Sequence, residues 1–403
     1  MDTDADFQLN RYWKNRRPKR ATRPLLCLQG GGLKGGWQSG VVDALIKDNV
    51  ISPIAAYGTS AGAINAVLIS AKIANPEKDI FGNFWTSFCV SNIVNFLESE
   101  FLTIICRAPK TILGCLGWGR GNRAPGLFPF KVFQKLFEKH FPNNIKAKIN
   151  TYIEITDLSC DNFPPRKLRF TGPSFWLHNG DNKFEVCFGS ANSKVSINNA
   201  LAASCCIPGL VNPAYICNRH VADGGLCTNL PIDQLPDNGS LGGDSIVFII
   251  TRPLSDFNPS KCDIDYHTLH MLHKIKKIQK SELSRSKSGR SGGYNILIGS
   301  PIFVIQPDTL PRLSNPFRLL WSRNMECDIE KGRFQGKKFH TAVNTALNGN
   351  ITNLAKFHLF NIKLPPLPFQ KPNLKFWYNF ANRSWVNNNC KKGRGDKPSV
   401  GPC

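Results

Sequence analysis

The sequence predicts an α/β fold, because strand-like and helix-like segments alternate along it. Two short apolar runs near its start, residues 24–28 and 52–57, are each followed by a glycine-containing turn and then by apolar residues at helical spacing. Further along, the continuous apolar runs 245–251 and 302–305 are typical of buried strands. We therefore expect a chain built from alternating strands and helices.

Length and composition allow a full hydrophobic core. The 403 residues suffice for one large domain or two ordinary ones, and 41% hydrophobic residues are typical of a globular protein. Lysine and arginine number 51 against 28 aspartates and glutamates, which gives a formal charge of +23. This excess predicts attraction to a polyanion, either an anionic membrane surface or nucleic acid. Charge alone does not distinguish the two.

Targeting and cysteine patterns point to a cytoplasmic, peripherally membrane-associated protein. Residues 1–6 are acidic and polar, unlike the start of a signal peptide. No run reaches the roughly 18 apolar residues that a membrane-spanning helix requires. The fourteen cysteines are scattered and are interpreted as reduced core thiols. Because Cys205 and Cys206 are adjacent and no C-x-x-C spacing occurs, a zinc site is not predicted. No cofactor and no other metal is expected.

A basic arm precedes the first strand, and a glycine loop follows it. Residues 1–23 are expected to form the arm, because positions 11–23 carry many cations and few apolar residues. The loop Gly30–Gly35 satisfies G-x-G-x-x-G, a pattern of dinucleotide-binding folds. That interpretation requires an acidic residue after the second strand, where this chain has Gly58-Thr59-Ser60. The glycines are better explained as backbone N–H donors at a helix N-terminus, which hold an oxyanion as readily as a phosphate.

The second turn, Gly58-Thr59-Ser60-Ala61-Gly62, predicts a nucleophile elbow. In an elbow a strand turns sharply into a helix, so the serine is strained and its hydroxyl stands clear of the sheet. Residues 52–57 supply the strand, and the alanine-rich residues 63–71 supply the helix. A small-residue turn without chemistry is the alternative for an isolated match of five residues.

The middle of the chain is less regular. Residues 75–126 mix large apolar, glycine and cationic residues, which suits either a cap or lid insertion or a buried helical pair. Residues 130–137 are spaced as an amphipathic helix, and residues 151–156 alternate like a strand. We expect a polar excursion over 160–194 and a helix over 195–203.

The last third contains a basic amphipathic helix. Its inner face is predicted from apolar residues at helical spacing, namely Leu269, Leu272, Ile275 and Ile278. Its other faces carry the lysines Lys274, Lys276, Lys277 and Lys280. Residues 284–294 are interpreted as a flexible basic loop, and a helical region extends to residue 348. We expect the C-terminal extension, residues 349–403, to be partly disordered.

Three stretches together could form a serine esterase, which needs a nucleophile, a base and donors for an oxyanion. Ser60 is the candidate nucleophile, Asp223 in Asp223-Gly224-Gly225 the candidate base, and the Gly30–Gly32 amides the candidate donors. With these motifs in this order, the sequence resembles the patatin-like phospholipase family. The segments 202–208 and 229–231 match the same pattern.

The resemblance covers residues 24–250 closely and 295–345 loosely. It implies a three-layer α/β/α fold with a central, mostly parallel sheet over residues 24–348. It also implies hydrolysis of phospholipids or related acyl lipids through a Ser60 acyl-enzyme, with Asp223 as the base and no histidine. The implied oxyanion hole comprises Gly30, Gly31, Gly32, Leu33, Lys34 and Gly35. The flanking motif positions are Gly58, Thr59, Ala61, Gly62, Gly224 and Gly225.

One position departs from the family's pattern, because Gln29 stands where an acidic or small residue often precedes the glycines. This departure does not bear on catalysis. Lys34 is expected to favour an anionic headgroup or the oxyanion. The resemblance implies a phospholipase A or lysophospholipase, whereas headgroup preference, acyl position and oligomeric state are not predicted.

Two alternatives remain open at this stage. A Ser-His-Asp triad is possible in principle, because α/β-hydrolases place a histidine after the serine in the chain. The histidines that could serve as its base are His220, His267, His270, His273 and His340. The second alternative is an inactive basic protein that binds membranes or nucleic acid. Because all three motifs are intact, we expect an anionic membrane and a lipid substrate as partners, and no nucleic acid.

Overall fold

The structure is a computed structural model. The described residues are 4, 8–10, 22–47, 51–88, 129–140, 148–158, 167–172, 183–188, 191–207, 210–216, 219–226, 229–231, 243–260, 263–287, 300–311 and 322–368. The strands are β1 (Pro24–Leu28), β2 (Ala55–Thr59), β3 (Asn150–Asp157), β4 (Lys167–Gly172), β5 (Lys183–Phe188), β6 (Ala191–Ser196), β7 (Ala214–Ile216), β8 (Arg219–Asp223), β9 (Ser245–Ile249) and β10 (Ile302–Ile305). The helices are α1 (Gly35–Ile46), α2 (Ala61–Ala74), α3 (Phe130–His140), α4 (Ile197–Ser204), α5 (Asp263–Lys287), α6 (Ser322–Leu347) and α7 (Thr352–Ala355).

One sheet contains these strands, and its backbone order is β10-β9-β1-β2-β3-β4-β5-β6. The strands from β10 to β3 are parallel, with Leu28 opposite both Gly58 and Ile249. Their C-terminal ends therefore share one edge of the sheet, here called the carboxyl edge, and their N-terminal ends share the amino edge. The predicted α/β fold with a central, mostly parallel sheet is confirmed. Strand β2 begins later than predicted, at Ala55, because Pro53 has no N–H for the ladder.

The sheet lies between two hydrophobic cores. From β1, Leu26 and Leu28 pack with α1, α2 and α6, whereas Leu25 and Cys27 pack with α5. Successive residues of a strand point to opposite faces, so each central strand contributes to both cores. Burial on both faces explains why residues 24–28 form a continuous apolar run.

Antiparallel strands extend the sheet beyond β3. Strands β4, β5 and β6 form a meander between residues 167 and 196, so the expected polar excursion over 160–194 contains strands that were not predicted. The helix expected over 195–203 begins at Ile197, because Val195 and Ser196 end β6. Strands β7 and β8 form a further antiparallel pair, and β8 adds to β3.

The basic helix α5 covers the second core, with two differences from its prediction. Leu269, Leu272 and Ile275 are buried as expected, but Ile278 is 39% exposed. Gln279 takes the inward position instead, because its Nε2 donates to the Ser300 carbonyl at 3.0 Å. The helix continues to Lys287, so the first residues of the predicted loop are helical, and residues 288–294 lie outside the described residues.

The segment predicted as a cap or a helical pair starts within the fold. Residues 80–88 are helical, and Phe81, Phe84, Trp85 and Phe88 are buried in the core beside α2. Residues 89–126 lie outside the described residues. The part that the structure describes therefore contributes to the core.

Both terminal segments also contact the sheet. Leu9 is fully buried, and Thr22 forms a bridge with Ile51, so the described ends of the predicted arm are anchored. After α6, the Phe357 carbonyl accepts from the Val304 amide at 2.8 Å, which ties the start of the C-terminal extension to β10. Residues 11–21 and 369–403 lie outside the described residues.

Candidate active site

Ser60 lies at the carboxyl edge, between the last residue of β2 and the first residue of α2. Its backbone has φ 54° and ψ −123°, and it is the non-glycine residue with positive φ among those that the structure describes. Such a conformation costs about 1–3 kcal/mol and persists only where the surroundings enforce it. The strained turn predicted for an elbow is therefore present at Ser60.

Close backbone packing and one hydroxyl hold the elbow in place. A Cβ at Gly58 would collide with the Gly62 carbonyl, and a Cβ at Gly62 would collide with the Leu28 carbonyl. The Ser60 amide donates to Ser204 Oγ at 2.9 Å. That hydroxyl in turn donates to the Glu154 carbonyl at 2.7 Å. Ser204 thereby connects the strained residue to β3.

Asp223 is the last residue of β8, where it pairs with Ile155 of β3. Its carboxylate and the Ser60 hydroxyl are joined by a hydrogen bond, and the Gly225 amide donates to Oδ1 at 2.7 Å. Burial raises the pKa of Asp223 to about 6, although both hydrogen bonds oppose the rise. Ser60 is 5% exposed and Asp223 is 6% exposed, so little water reaches the pair.

Cys205 is a neighbour that sequence reasoning placed only in the core. Its thiol shares a hydrogen bond with the Ser60 side chain. Burial, followed by the negative charge of Asp223, raises the pKa of this thiol well above its ordinary value. The raised pKa favours the neutral thiol of Cys205 over the thiolate.

The glycine loop lies beside the elbow. A Cβ at Gly30 would be 3.2 Å from the Ser60 Cβ, which shows how closely the loop approaches. The Gly30 amide donates to the Asn229 carbonyl at 2.9 Å, and the Lys34 amide donates to the Gly31 carbonyl at 3.3 Å. The Gly35 amide is also bonded within the 3₁₀ turn Gly32–Lys34.

Three members of the predicted oxyanion hole thus already donate within the protein. The remaining candidates in the described loop are the amides of Gly31, Gly32 and Leu33. Gly32 has φ 56° and is exposed, and its two neighbours are half-buried. These amides lie in the first turn before α1, where N–H groups have no helical partner.

Buried amide side chains fix the loop. Gln38 Nε2 donates to the Gln29 and Ile249 carbonyls at 3.1 and 2.9 Å. Asn65 Nδ2 donates to Gln38 Oε1 and to the Gly35 carbonyl, both at 2.9 Å, and Trp85 Nε1 donates to Asn65 Oδ1 at 2.8 Å. This network connects the loop to α2 and to residues 80–88.

Gln29 supports the same edge of the sheet. Its Oε1 accepts from the Thr251 amide at 2.9 Å and from the Thr251 hydroxyl at 3.2 Å. Because Thr251 follows β9, this contact joins the ends of β1 and β9. The side chain at position 29 therefore has a structural role at this edge.

The other motif positions surround Ser60 and Asp223. Thr59 ends β2 opposite Glu154, and Ala61 begins α2. Gly224 begins the 3₁₀ turn after β8, where a Cβ would be 2.5 Å from the Glu154 carbonyl. The structure thus brings the elbow, the Asp223 segment and the glycine loop together at the carboxyl edge.

The candidate histidines lie in different places. His220 is three residues before Asp223 in β8, and a strand places such residues on opposite faces. Its ring contacts Tyr215, with centroids 4.9 Å apart. The later histidines lie on helices, namely His267, His270 and His273 on α5 and His340 on α6. His273 Nε2 is 2.8 Å from the Pro365 carbonyl, across the sheet from α2.

Sequence reasoning missed the supporting residues Ser204, Gln38 and Asn65. Ser204 and Asn229 fall within segments that match the family's pattern, and this was their only signal. Among the described residues, no group of three or more histidine, cysteine or acidic side chains could hold a metal ion. A cavity of about 620 Å³ lies beside α6, lined by Trp37 and Phe334, and it is separate from the dyad.

The comparison with family models agrees with this arrangement. The family model described as patatin-like phospholipase matches residues 26–236, a range that includes Ser60 and Asp223. Among solved structures, VipD from Legionella pneumophila is similar, with 13% sequence identity and a TM-score of 0.35. That match covers 81% of this chain and 68% of the other. No curated protein sequence matches the chain.

Proposed function

The chain belongs to the patatin-like phospholipase family, and we propose that it is a serine hydrolase of the phospholipase A or lysophospholipase type. Its substrates would be acyl esters of membrane lipids. The observation that carries the proposal is the hydrogen bond between the Ser60 and Asp223 side chains at a strained elbow. A nucleophile in contact with its base is the arrangement that covalent ester hydrolysis requires.

In the first half-reaction, Ser60 Oγ attacks the ester carbonyl carbon and its proton passes to Asp223. The carbonyl oxygen becomes an oxyanion, which the amides of Gly31, Gly32 and Leu33 stabilise. When the bond to the alcohol breaks, Asp223 returns the proton to the leaving oxygen. The acyl group remains on Ser60.

In the second half-reaction, water attacks the acyl-enzyme and gives its proton to Asp223. As the fatty acid leaves, the proton returns to Ser60 Oγ. An aspartate with its ordinary pKa of about 3.9 is a weak base for these steps. Burial raises the pKa of Asp223 to about 6, which strengthens the base while leaving most of it ionised at neutral pH.

We also propose peripheral association with anionic membranes. The formal charge is +23, and Lys274, Lys277 and Lys280 are exposed on α5. Each cation near an anionic leaflet contributes about 1 kcal/mol. None of the helices that the structure describes is long and apolar enough to span a bilayer.

A fluorophosphonate probe tests the nucleophile directly, because it labels an activated serine. We expect the wild type to be labelled and Ser60→Ala to lose labelling completely. Ser70→Ala is the matched control, since Ser70 is also buried on α2 but lies outside the motif. Mass spectrometry of lipids from defined vesicles then identifies the cleaved ester. Full labelling of Ser60→Ala would assign the nucleophile elsewhere.

A further inference from the structure

Exposed apolar side chains are concentrated on the segment that connects α4 to β8. Ile207, Leu210 and Tyr215 are 41%, 40% and 61% exposed, and we call these three residues the rim. Ile207 and Leu210 share one turn, in which the Leu210 amide donates to the Ile207 carbonyl at 3.1 Å. Single exposed apolar residues are ordinary, whereas a group of them on one short segment indicates an interaction site.

The rim borders the dyad. The Cys205 thiol bonds to Ser60, and the Cys206 carbonyl accepts from the Asp223 amide at 3.0 Å, so Ile207 directly follows two residues of the site. Tyr215 pairs with His220, whose carbonyl accepts from the Leu158 amide just beyond the end of β3. The rim therefore projects past the carboxyl edge. A surface that covers it also lies next to the nucleophile.

The basic face of α5 extends from the middle of the helix towards the other edge of the sheet. The helix begins at the carboxyl edge, where Asp265 forms an ion pair with Arg252 just after β9. It reaches the amino edge at Gln279, which bonds to Ser300 just before β10. At 1.5 Å per residue, Lys280 is about 22 Å along the helix from Asp265. That distance exceeds the Debye length of about 8 Å at physiological salt.

We propose that the rim inserts into the surface of a lipid aggregate and holds the entrance to the dyad against it. This proposal rests on the proposed function, because an acyl lipid would have to pass from that surface to a nearly buried serine. Insertion removes apolar area from water, so it depends little on headgroup charge. The lysines of α5 attract anionic surfaces from the amino edge and are not part of this contact.

The test uses the double variant Ile207→Ser/Leu210→Ser. Its matched control is Ile73→Ser/Ile278→Ser, whose side chains are 37% and 39% exposed at the end of α2 and on α5. Co-sedimentation with phosphatidylcholine vesicles measures binding, and turnover of a soluble short-chain ester measures the dyad alone. We expect the rim variant to bind about 10-fold more weakly with unchanged ester turnover. The control variant should match the wild type in both assays.

Other results would overturn the proposal. Equal vesicle binding by the two double variants would show that the rim does not insert. A change in the sedimentation-velocity mass of the rim variant, with unchanged vesicle binding, would assign the rim to a contact with a second copy of the chain. Failure of the proposed function would be seen separately, in the ester assay. Turnover would then be absent from the wild type or retained by Ser60→Ala, and vesicle binding would still test the rim.

Discussion

The carboxyl edge of the sheet and the outer face of α5 are both candidate functional surfaces, but they are built in opposite ways. The edge combines a serine at φ 54° with a nearly buried carboxylate, and both features reduce the stability of the fold. The α5 face carries solvated lysines that cost the fold little. Burial, followed by the charge of Lys280, lowers the pKa of Lys276 on this helix.

This difference separates chemistry from attraction. At the edge, the backbone of Ser60 is strained and the Asp223 carboxylate is buried. Specific hydrogen bonds through Ser204, Gln38 and Asn65 hold this unfavourable arrangement in place. No such network is needed for a charged face, which acts at a distance through its field. Variants at the edge should therefore change turnover, and variants on α5 should change only salt-dependent binding.

The largest effect is expected for Asp223→Asn. The amide keeps the shape of the side chain but cannot accept the Ser60 proton, so we expect ester turnover to fall by at least about 10²-fold. His220→Ala is the control at the same strand and should retain turnover within a few-fold, because His220 lies on the other face of β8. Steady-state kinetics of both variants on a soluble ester would decide between a dyad and a triad. Near wild-type turnover in Asp223→Asn with a large loss in His220→Ala would contradict the dyad.

The same variant should be more stable than the wild type at high pH. The folded pKa of Asp223 is about 6 and exceeds its ordinary value of 3.8, so its contribution to stability is present below about pH 4 and is lost as the pH rises through 6. Above that range the ionised group costs the fold up to about 3 kcal/mol. Thermal unfolding at pH 5 and pH 8, relative to the wild type, should show the gain of Asp223→Asn growing with pH. A gain that is equal at both pH values would contradict a raised pKa.

An intermediate effect is expected in the pH profile of the wild type. Only the ionised form of Asp223 accepts a proton, so kcat/KM for a soluble ester should be constant above neutral pH and fall about 10-fold per unit below pH 6. Stopped assays in overlapping buffers, with unfolding monitored in parallel, provide the measurement. A profile that stays flat down to pH 4.5 would mean that another group is the base.

The sequence predicted the central strands and the elbow because their signals are local. Residues 24–28 and 302–305 are apolar without interruption, and Gly58 and Gly62 flank the serine directly. Ser204 could not be predicted in its role, because its hydroxyl meets the Ser60 amide across 144 positions of chain. Likewise, the Gly30 amide is occupied by a carbonyl from Asn229, which only the fold brings near.

Strands β4 to β6 were missed for a different physical reason. Segments such as 167–172 and 183–188 mix lysine, arginine and glutamate with short apolar stretches. Their apolar residues alternate over too few positions to distinguish a strand from a polar loop by sequence. The error at Ile278 has a different cause. The buried face of α5 continues through Gln279 and Leu283, so it steps by four residues after Ile275 and leaves Ile278 beside it.

The smallest effect, and the sharpest test of the comparison, is expected for the triple variant Lys274→Gln/Lys277→Gln/Lys280→Gln. Removing three exposed cations from α5 should weaken binding to phosphatidylglycerol-containing vesicles by roughly 10-fold or more at low salt, and the difference from wild type should shrink near 1 M salt. Ester turnover should not change, because these lysines are remote from the dyad. The control with the same loss of net charge replaces three exposed lysines near α6 and α7, namely Lys331, Lys337 and Lys356. Equal weakening of vesicle binding by the two triple variants would show that overall charge, rather than the face of α5, attracts the protein to the membrane. Unchanged binding by the α5 variant would show that α5 takes no part in the membrane contact.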